Sequence, residues 1–468
     1  MHPPSNRRKF LKLSALTGAF LGLPLADVYA RDEVEEKLFR LTETRTARGT
    51  SVMGLKVDPI DQVKVGIIGL GNRGPGHMGH LAAVFPKAKI TALCDIRPER
   101  TEEALQRLKK RGYEHKPDVY TGSADAWKDM IRRDDLDLVI IATPWDDHVP
   151  MCVGSMQAGK HVAVEVPAAV TLEECWQLVD TAEATQRNCM MMENVCYGDE
   201  ELWILNMVAQ GIFGTLTYAE AAYIHDLRGS LFSKTGYYNM WRIRHHVRQD
   251  GNLYPTHGLG PVAQYLGIER GDRFDHMVSM SSLQAGLTEH SLTVENDNEF
   301  YNRNDFVHGD MNNSLIKTAK GRTILVQHDV VTPRPYSRIN ALAGTKAYHE
   351  GYPSRLSIKG QDSHNWLSEK DYQEMREKYK HPIWARLKDE IAQNGGHGGM
   401  DFVQIYRLID CLNRGLPLDM DVYDGVDWSV VTPLSKVSIE LGSVPVKFPD
   451  FTRGKWKGER AYGIMDNL

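Results

Sequence analysis

The chain has 468 residues, of which 42% are hydrophobic and 25% charged, with a formal net charge of −5 at pH 7. That length gives room for two or three domains and a large core. With no basic excess, the composition argues against a nucleic-acid-binding protein and against one held to a membrane surface by charge.

At the N-terminus, Arg7-Arg8-Lys9-Phe10-Leu11-Lys12 precedes an apolar stretch, Leu13 to Leu25, and then the small-residue cleavage pattern Val28-Tyr29-Ala30. The stretch is too short to span a bilayer comfortably and has a basic front end, as an export signal does. Its paired arginines resemble the twin-arginine type, which carries folded proteins. Residues 1–30 are therefore expected to be a signal peptide, and the protein periplasmic or secreted, with no membrane span in its mature form. An uncleaved basic tail is the alternative. Residues 31–60 are polar and read as a linker or as an arm that packs on the body.

Val63 to Gly74 reads V-K-V-G-I-I-G-L-G-N-R-G. Val63, Val65, Ile67 and Ile68 suit a parallel strand buried on both faces, and Gly69, Gly71 and Gly74 follow at the G-x-G-x-x-G spacing. In such a turn the first glycine allows the bend, the second admits a pyrophosphate, and the third lets the next helix pack close. Ile90 to Asp95 is a second apolar strand, ending in an acid about 20 residues past the last glycine, where a Rossmann fold places its ribose-binding carboxylate. A structural Asp in a strand-to-helix turn is the bland alternative. A carboxylate here repels a ribose 2′-phosphate and so favours NAD over NADP; Arg97 is the opposing signal. Further strands are expected at Leu136 to Thr143, His161 to Val166 and Cys189 to Asn194, with helices at Thr101 to Arg111 and Leu172 to Thr185. This βαβ rhythm over 61–195 predicts an α/β Rossmann domain built on a doubly wound parallel sheet.

Beyond Tyr197 the pattern changes. Strand-like runs at Leu216 to Tyr223, His276 to Leu283 and Thr323 to Val331 have few helices between them, which predicts an α+β domain over 196–445 with a mostly antiparallel open sheet. Helical spacing returns at Asp401 to Arg414, stopped by Gly415, and at Val426 to Leu441, where Pro433 is a kink or a restart. Residues 446–468 read as a tail. The six cysteines, Cys94, Cys152, Cys175, Cys189, Cys196 and Cys411, form no C-x-x-C pair and no cluster with histidine. Neither a disulfide framework nor a metal site is expected.

Ligands of open α/β sheets bind at the carboxyl ends of the strands. The residues there are Thr143-Pro144-Trp145-Asp146-Asp147-His148, Glu165-Val166-Pro167 and Glu193-Asn194, although Asp146 and Asp147 also read as solvated loop acids. In the second domain Tyr223-Ile224-His225-Asp226, Trp241 to His246, Tyr254-Pro255-Thr256-His257 and Pro333 to Tyr336 are rich in side chains that move protons or bind sugars. His245 and His246 are adjacent and point apart, so they form no chelate, and His225 alone reads as structural.

The order Gly69-x-Gly71-x-x-Gly74, Asp95, Thr143-Pro144 with His148, Gly159-Lys160-His161-Val162 and Glu165-x-Pro167 resembles the Gfo/Idh/MocA oxidoreductases over almost all of 61–445. Asn72-Arg73, Trp145 to His148, Glu165-Val166-Pro167, Glu193-Asn194 and Tyr254 to His257 are similar, more narrowly, to glycosyl hydrolase family 109, the NAD-dependent α-N-acetylgalactosaminidases. Val166 stands where the broader family has a lysine that helps to oxidise an alcohol. The glycosidase branch shares that loss.

The resemblance implies a redox-assisted hydrolysis rather than the two-carboxylate route. The sugar is oxidised at C3, loses its C2 proton, eliminates the C1 leaving group, adds water and is reduced again, so that NAD is recycled. By the same resemblance Asn72, Arg73, Asp95, Trp145, Asp146, Asp147, His148, Glu165, Val166 and Asn194 contact NAD, together with the glycine turn. Tyr223, Arg242, Tyr254, Pro255, Thr256, His257 and Tyr336 contact the sugar. His257 is expected to be the acid/base at the C3 hydroxyl, and Tyr223 or Tyr336 to serve the C2 proton or the leaving group. A glycan or glycoside is the expected partner, and a homo-oligomer the expected assembly. Two rivals stand beside this reading: a periplasmic NAD(P)-dependent sugar oxidoreductase of the same fold, and a sugar-binding protein that keeps NAD structurally.

Overall fold

The apolar run before the glycine motif forms the centre of a sheet. In the computed structural model, which describes residues 38, 41–360 and 364–466, β1 (Val63–Ile68) is followed by α1 (Gly74–Ala83), β2 (Ala88–Asp95), α2 (Pro98–Lys110), β3 (Asp118–Thr121), α3 (Ala126–Ile131), β4 (Leu138–Ile141), α4 (Trp145–Gln157), β5 (His161–Val164), α5 (Leu172–Thr185) and β6 (Cys189–Met191). The six strands pair in parallel in the order β3-β2-β1-β4-β5-β6. β4 and β5 are buried throughout, as strands covered by helices on both faces must be. The strand order reverses between β1 and β4, which opens a crevice at their carboxyl ends. The expected signal peptide lies outside the described residues.

One strand was not legible. No strand was expected between Asp95 and Leu136, yet β3 pairs with β2 there. It is the sheet edge, and its sequence D-V-Y-T has no buried residue, so it carries no apolar run to announce it.

The second part opens with α6 (Asp199–Ala209), β7 (Leu216–Ile224), α7 (Ile243–Arg248) and α8 (Thr256–Tyr265). It continues through β8 (Phe274–Ser281), β9 (Asn312–Thr318), β10 (Thr323–Asp329), β11 (Ala341–Gly344), β12 (Ala347–Glu350) and β13 (Arg355–Ile358). Then come α9 (Met400–Arg414), α10 (Val422–Ser429), α11 (Val431–Glu440) and β14 (Val446–Lys447). The sheet order is β13-β12-β11-β7-β10-β9-β8-β14, with β7 and β10 parallel and the other neighbours antiparallel. α8 presses on β7 at a glycine: a Cβ on Gly258 would lie 2.4 Å from Ala222 N. That approach sets His257 beside Tyr223, with ring centroids 5.4 Å apart.

The helical stretch expected over Val426 to Leu441, with Pro433 as a kink or a restart, is two helices that part at Val430, three residues before the proline. Pro433 sits in the first turn of α11, where its missing N–H leaves no hydrogen bond unmade. Gly415 ends α9 at φ +64°.

Both ends of the described chain pack on the body. Ser51 Oγ lies 2.9 Å from Tyr423 Oη, and Ile60 N donates to Leu412 O at 3.1 Å. Phe448 and Phe451 are buried, and Arg453 pairs with Asp180 at 3.0 Å and with Glu183 at 2.7 Å on α5. All six cysteines are buried and unpaired. Among the described residues no helix is long and apolar enough to cross a membrane.

Candidate active site

The glycine turn divides its work between packing and binding. A Cβ on Gly74 would lie 1.9 Å from Gly69 O, and one on Gly69, at φ +90°, would lie 2.5 Å from Ala142 O. Those two glycines let β1, β4 and α1 close up. Gly71 is different: a Cβ there would meet nothing nearer than an Arg97 nitrogen at 3.7 Å. It faces open space, as a backbone that receives a pyrophosphate must.

Asp95 is buried at the end of β2. Its Oδ2 accepts from Leu70 N at 2.7 Å and its Oδ1 from Arg97 N at 2.9 Å, so the carboxylate braces the glycine turn while still lining the cavity. Arg97 is occupied: its Nε lies 3.5 Å from Asp95, and its guanidinium stacks 4.2 Å from the Tyr238 ring centroid. Asn72 crosses to the second part, donating to Gly236 O at 2.6 Å.

Arg73 is the hub of the next layer. Its Nε donates to Glu165 at 2.8 Å, and its terminal nitrogens donate to Asp401 at 3.1 and 3.3 Å. Glu165 also meets His77 Nε2 at 2.7 Å, and Asp401 accepts from Asn194 at 2.6 Å. Burial opposes ionisation of both acids. For Glu165 the Arg73 charge and His77 outweigh it; for Asp401 the His397 hydrogen bond and Arg73 do so, and both carboxyls are held well below the usual carboxylate range. A depressed native pKa contributes stability that is present above the unfolded value, near 4, and is lost as pH falls below it. Arg73→Met is thus expected to cost about 1.5–3 kcal/mol at pH 7, the range for hydrogen bonds to charged groups. Denaturant titrations should show that deficit shrinking below about pH 4.

Trp145 opens α4 and stands against Trp241, Tyr254 and the Arg242 guanidinium at 5.1, 5.8 and 5.0 Å. Asp147 lines the cavity. Asp146 turns away to Arg248 at 3.3 Å. His148 is buried with its ring nitrogens 2.9 Å from the carbonyls of Pro167 and Thr143, and burial pushes its pKa down. Its nitrogens fix the wall rather than reach a ligand. Val166 and Asn194 both line the cavity.

The opposite wall comes from the second sheet. Tyr223 Oη at the end of β7 lies 2.8 Å from His225 Nε2. Burial raises the Tyr223 and Tyr336 phenols, and burial with help from Arg242 pushes His225 down to about 4. At neutral pH the phenols are protonated, and Tyr223 donates to a neutral imidazole. His257 Nδ1 meets the fully buried Glu193 at 2.7 Å. A carboxylate can only accept, so Nδ1 holds the proton and Nε2 is left for a ligand. Arg242 is buried among the rings of Tyr254, Trp145, Tyr237 and Tyr223, 4.7 to 5.8 Å from their centroids, and donates to Tyr237 Oη at 2.8 Å. Its Nε and one terminal nitrogen have no hydrogen-bond partner. Such a guanidinium is costly to bury unless a ligand completes it. Pro255 and Thr256 are buried beside these residues but do not line the cavity.

The two walls enclose one cavity of about 670 Å³. It brings together most of the residues singled out in the sequence; Gly74, Asp146, Pro255 and Thr256 stand outside its lining. Sequence reading missed Arg338, Tyr352, His397 and Met400, which also line it, and Asp401, which holds Arg73. Glu193, read only as a strand-end residue, is the partner of His257. For His397 a signal was present: it lies between two glycine pairs, 395–396 and 398–399.

A parallel six-strand sheet, a glycine turn that a Cβ would fill, and a crevice at the strand ends define an NAD-binding Rossmann protein of the oxidoreductase fold. Residues 63–193 match the family described as oxidoreductase family, NAD-binding Rossmann fold, and residues 197–458 match the C-terminal domain of glycosyl hydrolase 109. The chain belongs to glycosyl hydrolase family 109. A family 109 protein of Shewanella pealeana is 49% identical over 466 residues, covering 98% of this chain and 99% of the relative. One from Shewanella woodyi is 48% identical over 434 residues, covering 90% and 91%. The fold is also similar to levoglucosan dehydrogenase in complex with NADH, at a TM-score of 0.62 and 17% identity, covering 83% of this chain and 100% of that one. An inositol dehydrogenase homologue from Azotobacter vinelandii, complexed with NADH and myo-inositol, gives 0.60 and 20%, covering 86% and 100%.

Proposed function

We propose that this protein is an NAD-dependent glycosidase that releases terminal α-N-acetylgalactosamine by transient oxidation of the sugar. One observation carries the reading. The wall opposite the glycine turn presents His257, held by Glu193 from beyond β6, phenols and an arginine with two nitrogens left without a partner, while among the described residues no lysine lines the cavity and its carboxylates, Asp95, Asp147 and Glu165, all belong to the Rossmann side. Hydrolysis by two facing carboxylates needs a pair of acids about 5–9.5 Å apart across the sugar, and the sugar wall offers none. A simple dehydrogenase of this fold uses the lysine that Val166 replaces.

When bound, NAD would supply the acceptor for the C3 hydride and the means of restoring it, so no free pool would be needed. Gly71, Asp95, Arg73 and Asn194 are the residues that would hold it. His257 takes the C3 hydroxyl proton on Nε2, with Glu193 keeping Nδ1 protonated and the ring fixed. The C3 ketone acidifies the C2 proton, which passes to Tyr223 Oη as the Tyr223 proton moves to His225. Arg242 binds and orients sugar oxygens, and its ring of aromatic side chains excludes water around them. Export by a twin-arginine signal is part of the same proposal: a cofactor recycled in place survives outside the cytoplasm, and Arg7 to Ala30 has the required pattern.

The protein is expected to purify with nicotinamide nucleotide bound and to hydrolyse nitrophenyl α-N-acetylgalactosaminide with none added. Denaturation followed by nucleotide assay checks the first part, and nitrophenol release the second. Lasting NADH in proportion to added sugar, with no nitrophenol, would establish the oxidoreductase instead.

A further inference from the structure

Phe232 and Met240 are buried, and residues 233–239 between them, each at least partly exposed, form a span that reaches from the second part to the Rossmann part. Asn72, inside the glycine turn, donates to Gly236 O at 2.6 Å. Arg97, two residues past Asp95, lies with its guanidinium 4.2 Å from the centroid of the Tyr238 ring. The span is shaped for this crossing. Ser233 Oγ accepts from Thr235 N at 3.3 Å and from Gly236 N at 2.9 Å, and a Cβ on Gly236 would lie 2.9 Å from Ser230 O, so the chain turns tightly just before it meets Asn72. Beyond Tyr238 it turns back through Asn239 and Met240, both left-handed at φ +53° and +50°, and Met240 N donates to Tyr237 O at 2.6 Å. Tyr237 Oη accepts from Arg242 at 2.8 Å, which ties this end to the sugar wall.

Thr235, Tyr237 and Tyr238 line the cavity together with Gly71, Asn72, Asp95 and Arg97. The two crossings therefore stand at the end of the cavity where the glycine turn takes a pyrophosphate and Asp95 a ribose. Separations of 2.6 Å and 4.2 Å are contact distances, and nothing the size of a nucleotide passes between the span and the turn while both hold. One crossing is an ordinary hydrogen bond and the other a cation–π contact near the surface, and Tyr238 is itself 38% exposed. A segment with so little buried area opens without unfolding the rest of the chain.

We propose that residues 233–240 are a clasp over the adenosine end of the nucleotide site, with Asn72–Gly236 and Arg97–Tyr238 as its two catches, and that its opening sets the rate at which NAD enters and leaves. This rests on the nucleotide reading of the fold and not on the chemistry performed with the cofactor. Both catches join protein to protein. Their loss lowers the barrier in both directions, so the equilibrium affinity changes far less than the rates. The clasp gives Arg97 a task other than binding a ribose 2′-phosphate, and slow exchange suits a cofactor that is recycled in place.

Exchange of bound nucleotide tests this on the full chain as purified. The protein is incubated with an excess of radiolabelled NAD, freed of unbound nucleotide at intervals and counted. Tyr238→Ala should exchange at least about fivefold faster than wild type, and Tyr238→Phe, which keeps a ring over Arg97, within about twofold of it. Asn72→Ala should exchange at least about threefold faster, by losing the other catch. Dialysed to constancy against limiting NAD, Tyr238→Ala should hold nucleotide with a Kd within about threefold of wild type, because entry quickens together with exit. A wild-type exchange rate in Tyr238→Ala, or equal acceleration in the alanine and phenylalanine variants, would overturn the clasp. So would exchange that quickens only by as much as Kd rises, since Tyr238 would then be an ordinary contact to the cofactor. A wild type that carries no nucleotide and takes up no label would overturn the cofactor assignment itself, and the clasp with it.

Discussion

His257→Ala is expected to retain its NAD and to lose about 10²- to 10⁴-fold in kcat, the usual loss when a general acid/base is removed. The histidine stands on α8, in the second part of the chain, and its hydrogen bond goes to Glu193 rather than to the glycine turn. Its loss also strips Glu193 of a 2.7 Å partner in a fully buried position, which by itself destabilises the fold. His257→Gln separates the two effects, since the amide can still donate to Glu193 but cannot take a proton. Both variants should be equally slow, with the glutamine form the more stable. In D₂O the sugar released by the wild type should carry deuterium at C2, because a proton removed from carbon exchanges before it is returned; a two-carboxylate mechanism never breaks that bond. Near-normal kcat in either variant, or product free of C2 deuterium, would remove the mechanism even with fold and cofactor as described.

The second large effect is expected in the glycine turn, and it separates folding from binding. Gly71→Ala adds a methyl group that meets only an Arg97 nitrogen at 3.7 Å, so the fold should be as stable as before, or more so by about 0.4–1 kcal/mol. The methyl stands where the pyrophosphate must approach, and nucleotide content after purification should fall at least about tenfold, the equivalent of about 1.4 kcal/mol. Gly74→Ala drives its Cβ to 1.9 Å from Gly69 O, a backbone atom that cannot swing aside. It should lose nucleotide and, in addition, about 1–3 kcal/mol of stability in denaturant titrations. Equal nucleotide content in Gly71→Ala and wild type would show that the cofactor does not lie against this turn.

The same contrast between local and distant causes runs through the molecule. β1, β4 and β5 were legible because a strand buried on both faces is apolar at nearly every position, and the G-x-G-x-x-G spacing states a steric need that only glycine meets. β3 was not legible, because an edge strand makes hydrogen bonds on one side only and asks little of its side chains. Likewise Pro433 marked a kink or a restart without placing it, since a proline in the first turn of a helix breaks nothing and gives no cue to which side the break falls on.

Within the site, the sequence by itself determined the kinds of groups present: a dinucleotide turn, a strand-end carboxylate, and the tyrosine, arginine and histidine of the second part. Those follow from motifs whose residues are neighbours in the chain. Only the tertiary structure decided the pairings. Glu193 reaches His257 across 64 positions, and Asp401 reaches Arg73 across 328. It also decided which residues of a motif face the ligand: of Tyr254 to His257 the first and last line the cavity, and of Asp146 and Asp147 only the second does. The physical reason is that a carboxylate's effect on a histidine or an arginine depends on a separation of about 3 Å and on the exclusion of water around it. Neither quantity is written in local sequence; both are set by how closely α8 packs on β7 and α9 on α1.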